Sequence, residues 1–159
     1  HGMRIRYYHD HVGVNSRLDT LQAAVLKVKL HYLDQYIASR INAANYYDNA
    51  FVGHSNLKTP SRVDFSNHTF HQYTLLTKNI NRDTLRDMLE KKGIPAMVYY
   101  PVPLHLQKAY LDPRYNIGDF PVTESLSKSV ISLPMHTELS KVQLDYIIEN
   151  VLSIVDSIK

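Results

Sequence analysis

The sequence predicts an α+β fold: a long bridging helix followed by a small domain in which about three mainly antiparallel strands are packed by helices. Three observations lead there. Apolar residues recur at spacings of three and four over 16–49, the period of an amphipathic helix. Beyond Gly53 the pattern changes, and Thr69 to Thr77 (TFHQYTLLT) is rich in β-branched and aromatic residues, as strands are. Strand-like and helix-like stretches then follow in the order strand, helix, strand, strand, helix, which suits a sheet covered by helices.

Residues His1 to Val12 are basic and tyrosine-rich, with Arg4, Arg6, Tyr7, Tyr8, His9 and His11; they are expected to be a poorly anchored edge. His9 and His11 do not by themselves make a metal site, which needs further ligands. The run Gly13-Val14-Asn15-Ser16-Arg17-Leu18-Asp19 leads into the helix. Ser16 sits three residues before Asp19, the spacing at which a hydroxyl caps an early N–H while a carboxylate favours the positive end of the helix dipole. The other N–H groups of that turn have no partner inside the helix. Asn15 and Arg17 add an amide and a guanidinium, so the junction could hold an anion. An ordinary capped helix would use the same residues.

The helix is expected to run from Ser16 to about Asn49, with room for a bend. Leu26, Leu30, Leu33, Ile37, Ile41 and Ala44 form one stripe. Leu18, Leu21, Val25 and Val28 form a second on the first turns only, so that end is expected to be buried on two sides.

Leu57 to Val63 contains Pro60 and reads as loop or weak strand, whereas Thr69 to Thr77 is the clearest strand. On a strand His68 and His71, three apart, would face opposite ways, which argues against joint metal ligation. Asn81 caps a helix with Leu85, Met88 and Leu89 on one face and Gly93 at its end. Ile94 to Tyr100 reads as the next strand, with Pro95 near its start, where a missing N–H costs least. Pro101 and Pro103 stiffen the exit from it and fix the directions of Tyr100 and His105. Two readings of that pair stand: both make functional contacts, or Tyr100 packs in the core and His105 caps the short helix behind it. Gly118-Asp119-Phe120-Pro121 is a turn before another short helix, with Asp119 structural. Val130 to Leu133 is the last strand. Ser140 and Gln143 make a capping box for a last helix whose apolar face is Leu144, Ile147, Ile148, Val151, Val155 and Ile158.

Composition bounds the class. At 159 residues and 44% hydrophobic, the chain is long enough for one core and part of another. Its 18 basic and 15 acidic residues are scattered and leave a formal charge of +3, without the basic stripe of a nucleic-acid binder. The absence of cysteine excludes a disulfide scaffold and a thiolate metal site. No apolar run approaches a membrane span of about 18 residues and the start is not signal-like, so a soluble cytoplasmic protein without a membrane partner is expected.

Four runs carry a family resemblance: GVNSRLDTLQAAVLKVKL; Phe70-His71-Gln72-Tyr73-Thr74; Tyr100-Pro101-Val102-Pro103-Leu104-His105-Leu106-Gln107; and Gly118-Asp119-Phe120-Pro121-Val122 leading to Ser132-Leu133-Pro134-Met135-His136. In order and spacing the chain resembles the C-terminal part of the sugar aminotransferases of the DegT/DnrJ/EryC1/StrS family. The resemblance implies the type I fold of pyridoxal-phosphate enzymes in a protein more than twice this length. Residues 1–50 would then be a remnant of the large cofactor domain plus the connecting helix, and 51–159 the small C-terminal domain. It implies pyridoxal 5'-phosphate as cofactor and a homodimer. The implied reaction moves an amino group from glutamate, via pyridoxamine phosphate, to a keto-sugar carried on a nucleoside diphosphate, as in cell-surface polysaccharide biosynthesis.

By position, Asn15 matches the family's asparagine that binds the cofactor phosphate across the dimer interface. Arg17 matches a frequent basic position at the same junction, with a role in orienting the loop or an acidic substrate group. Tyr100 and His105 lie where the family approaches the nucleotide-sugar. The family's cofactor-bonding lysine would fall upstream of His1, and no lysine here matches its motif, so the chain alone is expected to be inactive. Two other readings stay open: a sugar dehydratase of the same family, in which that lysine is replaced, and a non-catalytic regulatory or interaction domain. Without a large domain the apolar stripe is expected to leave an exposed patch.

Overall fold

A computed structural model describes residues 2–5 and 8–158 of the chain; Arg6, Tyr7 and the side chain of His9 lie outside the described residues. The chain divides into two units, residues 1–35 and 36–159.

The first unit opens with two short antiparallel strands, β1 (Met3–Ile5) and β2 (Tyr8–His9), a hairpin where only a loose edge was expected. The carbonyl of Gly2 closes it, accepting from the N–H groups of Asp10 at 3.0 Å and His11 at 3.2 Å. A loop leads to α1 (Thr20–His31). Its N-cap is Asp19 and not Ser16: Asp19 Oδ1 accepts from the N–H of Leu21 at 2.8 Å and of Gln22 at 3.4 Å. A carboxylate at the cap satisfies orphan donors and also complements the helix dipole, which a hydroxyl does not.

No residue of α1 is buried. The expected burial on two sides is therefore not met within this unit, because Ile5, Tyr8, Val12 and Val14 are exposed too and supply no opposing core. The exposed patch is formed by Leu18, Leu21, Val25 and Val28. The expected single helix is interrupted at Tyr32, whose N–H turns back to the Lys29 carbonyl at 3.1 Å, and α2 (Leu33–Phe51) follows.

The second unit contains most of α2, then β3 (Leu57–Lys58), β4 (Tyr73–Thr77), α3 (Arg82–Lys91), α4 (Pro121–Ser129), β5 (Val130–Leu133) and α5 (Lys141–Ser157). Its sheet is antiparallel in the order β3-β4-β5, so three strands form as predicted, but one of them differs. Ile94 to Tyr100 is not a strand; it makes a single bridge, Met97 with Ser132, through bonds of 2.9 and 2.7 Å. Pro95 offers no N–H to a ladder, and the Ala96 N–H bonds locally to the Ile94 carbonyl at 3.0 Å, so pairing stops there. The third strand is the weak one at 57–58, which pairs with β4 on the opposite edge of the sheet.

β4 is shorter than Thr69 to Thr77. Phe70 adopts φ of 49°, which breaks the extended path. Arg40 then donates to the carbonyls of Phe70 at 3.2 Å and His71 at 3.1 Å, engaging backbone groups that would have begun the ladder. His68 and His71 thus precede the strand, and His68 Nδ1 accepts from the Phe70 N–H at 2.8 Å.

Register pairs Tyr73 with Leu133, Thr74 with Ser132 and Leu75 with Ile131. Alternation places Tyr73, Leu75, Ile131 and Leu133 together in the core, while the hydroxyls of Thr74 and Ser132 meet at 2.8 Å on the other face. Ala44, Tyr47 and Phe51 of α2, Leu85 and Leu89 of α3, and Leu144, Val151 and Val155 of α5 complete the core. In this unit the caps of α3 and α5 fall where the sequence places them. Asn81 Oδ1 accepts from the Thr84 N–H at 2.9 Å, Gly93 follows α3 at φ +72°, and Ser140 with Gln143 closes the capping box of α5.

Leu89→Ala, at a site with no solvent exposure, is expected to lose about 2–5 kcal/mol in urea unfolding. Leu21→Ala, at a residue 80% exposed, is expected to shift the same measurement by less than about 0.5 kcal/mol.

Candidate functional site

The candidate residues fall in two places, one in each unit. In residues 1–35, Asn15 and Arg17 lie on the exposed loop before α1, where an Arg17 Nη donates to Asn15 Oδ1 at 2.8 Å. Because Asp19 already occupies the Leu21 and Gln22 N–H groups, the donors this junction offers an anion are side chains and not those two amides of the helix start. Arg17 has five N–H groups. With Asn15 oxygen held by Arg17, the donor half of the amide is the end that suits an acceptor. An amide nitrogen beside a guanidinium is a donor set that fits a phosphate group.

In residues 36–159, Leu104–Leu106 and Lys108–Tyr110 form two short 3-10 turns after the proline pair. Tyr100 is 73% exposed and lines a cavity of about 490 Å³ with Tyr99, Leu104, Gln107 and Tyr110. His105 lines a second, of about 430 Å³, with Asp112, Tyr115 and Phe120. The two cavities share Leu104, Tyr110 and Thr123. Tyr100 is therefore not a core residue, and His105 does not cap a helix. Its Nε2 lies 3.1 Å from Glu124 Oε1, its ring centroid is 4.7 Å from that of Phe120, and its side chain is only 9% exposed.

Glu124 is the residue that reading the sequence missed. Pro121 stands at the start of α4 and Glu124 in its first turn, so an acid near the positive end of the helix was the available signal. The carboxylate reaches back, accepting from the Gly118 N–H at 2.9 Å (Oε1) and 3.1 Å (Oε2) and from the Phe120 N–H at 3.4 Å. Gly118 turns its N–H inward at φ +100°, a conformation that glycine adopts without strain. The Gly118 N–H and then His105, against the opposing effect of desolvation, hold the Glu124 carboxyl below the usual range. Asp119 is structural as expected: its Oδ2 accepts from the Asn116 N–H at 2.7 Å. Among the described residues no group of three or more His, Asp or Glu is placed to hold a metal, and no helix is long and apolar enough to cross a membrane.

Comparison with known proteins agrees with the fold. The model of the DegT/DnrJ/EryC1/StrS aminotransferase family matches residues 1–152. A pleiotropic regulatory protein of Geobacillus stearothermophilus is 42% identical over 95% of this chain and 41% of its own length. A UDP-2-acetamido-2-deoxy-3-oxo-D-glucuronate aminotransferase of Pseudomonas aeruginosa is 39% identical over 92% of this chain and 39% of its own. The crystal structure of DesV from S. venezuelae, in complex with a ketimine intermediate, superposes with a TM-score of 0.88 at 34% identity, covering 99% of this chain and 42% of that one. The chain thus spans about two fifths of the length of the relatives it matches.

A carboxyl held low in the folded state adds stability that is present above its unfolded pKa and is lost as pH falls through its folded pKa. Wild type is therefore expected to lose urea stability on acidification in part through Glu124, and Glu124→Gln to lack that part of the loss. Equal acid slopes for the two proteins would contradict this.

Proposed function

The chain belongs to the DegT/DnrJ/EryC1/StrS aminotransferase family, and on that footing we propose that it is the C-terminal part of an enzyme that moves an amino group from glutamate to a keto-sugar carried on a nucleoside diphosphate. The observation that carries this reading is the family match along 1–152, and relatives named as nucleotide-sugar aminotransferases support it. In this reading residues 1–50 belong with a large cofactor domain and 51–159 form the small domain of a cytoplasmic homodimer.

The family is pyridoxal-phosphate dependent in general, and when bound that cofactor supplies the electron sink for amino-group transfer. Asn15 would donate from its amide to the cofactor phosphate of the neighbouring subunit, which a symmetric dimer allows for both sites at once. Arg17, bonded to Asn15 Oδ1, would hold that amide in place and add positive charge near the phosphate. Tyr100 would present its ring to the substrate from the larger cavity, and His105, fixed on Glu124, would wall the adjoining one. Moving the proton during transfer falls to the family's lysine, whose motif no lysine of this chain matches, so the chain alone is expected not to transaminate. A second reading has one observation in its favour: the Geobacillus relative is named a regulatory protein.

The test is 2-oxoglutarate formation by the intact protein from glutamate and UDP- or dTDP-linked keto-sugars. Turnover supports the aminotransferase reading; none with any of them favours the regulatory one. In the active protein Asn15→Asp exchanges a donor for a like charge beside the phosphate. It is expected to weaken pyridoxal phosphate binding roughly 10- to 100-fold in an absorbance titration, the scale of a hydrogen bond to a charged group.

A further inference from the structure

We propose that Glu124 is a positioning residue for nucleotide-sugar binding: its carboxylate, which lines neither cavity, holds His105 and the 116–120 turn in place as walls of the substrate site. This rests on the reading of the two cavities as that site.

One carboxylate gathers donors from separate stretches of chain. Oε1 accepts from the Gly118 N–H at 2.9 Å, from the Phe120 N–H at 3.4 Å and from His105 Nε2 at 3.1 Å, and Oε2 takes the Gly118 N–H at 3.1 Å. An acid that served only the start of α4 would need just the neighbouring amides; this one also reaches a side chain 19 residues away. Both partners of the pair are nearly enclosed, with side-chain exposures of 9% for His105 and 13% for Glu124, so water competes little for the bond.

What Glu124 holds does face the cavities. His105 and Phe120 line the smaller one, with ring centroids 4.7 Å apart, and Phe120 leads on to Tyr115 at 5.6 Å. Thr123, the residue before Glu124 on α4, lines both. Removing the carboxylate frees the imidazole, the Gly118 turn and through them the aromatic wall. The effect on a ligand is therefore indirect, through the shape of the wall and not through a contact.

The test is steady-state kinetics of the intact protein. Glu124→Ala is expected to raise KM for the nucleotide-sugar about 10-fold or more, with KM for glutamate and kcat within about threefold of wild type. A role confined to helix stability would lower the melting temperature without separating the two KM values. Glu124→Gln keeps an acceptor oxygen for the Gly118 N–H and is expected to fall between alanine and wild type; it also serves if the alanine variant does not fold. Adding Glu124→Ala to His105→Ala is expected to raise KM no further than His105→Ala does alone, since both act through one contact. Wild-type turnover with an unmoved nucleotide-sugar KM in the alanine and glutamine variants overturns this inference alone. A wild type that turns over no nucleotide-sugar overturns the functional reading and this inference with it.

Discussion

The second unit depends on a buried phenol with a partner. Tyr73, wholly buried on β4, donates to Asp48 Oδ1 of α2 at 2.7 Å, and its ring lies 4.9 Å from that of Tyr47, the residue before Asp48. Left without an acceptor, a buried hydroxyl would cost about 1–3 kcal/mol, so the bond sets both the depth and the rotation of α2 against the sheet. Tyr47 does the same at the far end of β5, donating to the Pro134 carbonyl at 3.0 Å. Burial first, and for Tyr73 the Asp48 carboxylate next, push both phenols well above the ordinary tyrosine range. Both phenols are therefore protonated donors at neutral pH.

Arg62 extends that contact outward. Its Nε donates to Asp48 Oδ2 at 3.1 Å and an Nη to Asn45 at 3.1 Å, while the guanidinium lies 4.1 Å from the centre of the Phe70 ring. Asp48 thus faces a phenol on one oxygen and a cation on the other. The positive φ of Phe70 is held from three sides: by Arg62 over its ring, by Arg40 on its carbonyl and by His68 on its N–H. Among the described residues no buried side-chain nitrogen or oxygen lacks a hydrogen-bond partner, which is what a core with this many polar groups requires.

The two units contrast in kind. Residues 36–159 bury helix, sheet and helix around one core, whereas α1 buries nothing, and an isolated helix of about a dozen residues is marginal in water. The Asp19 cap and the basic residues Lys29 and His31 in its last turn favour the helix locally, but they do not replace packing. The candidate groups follow the same division. Asn15 and Arg17 sit on exposed backbone and are ordered by each other, while His105 and Glu124 are ordered by an enclosed network around a glycine turn.

Local chemistry alone determined the α+β class, the caps at Asn81 and Ser140, the stop at Gly93, the strand at 130–133 and the apolar face of α5, because period and capping act within a few residues. It also marked Tyr100 and His105 as directed by prolines. Tertiary structure decided what depends on contacts far along the chain. Arg40, thirty residues from Phe70, ended the strand early. Pro95 left room for only one bridge, Met97 on the outer edge of β5, while Leu57 and Lys58 pair with β4 on the opposite edge of the sheet. Asp19 displaced Ser16 as cap because a charge does more there than a hydroxyl. Glu124 carries no motif in the sequence; its part in the site appears only when Gly118, Phe120 and His105 converge on one carboxylate, and no spacing rule records that convergence.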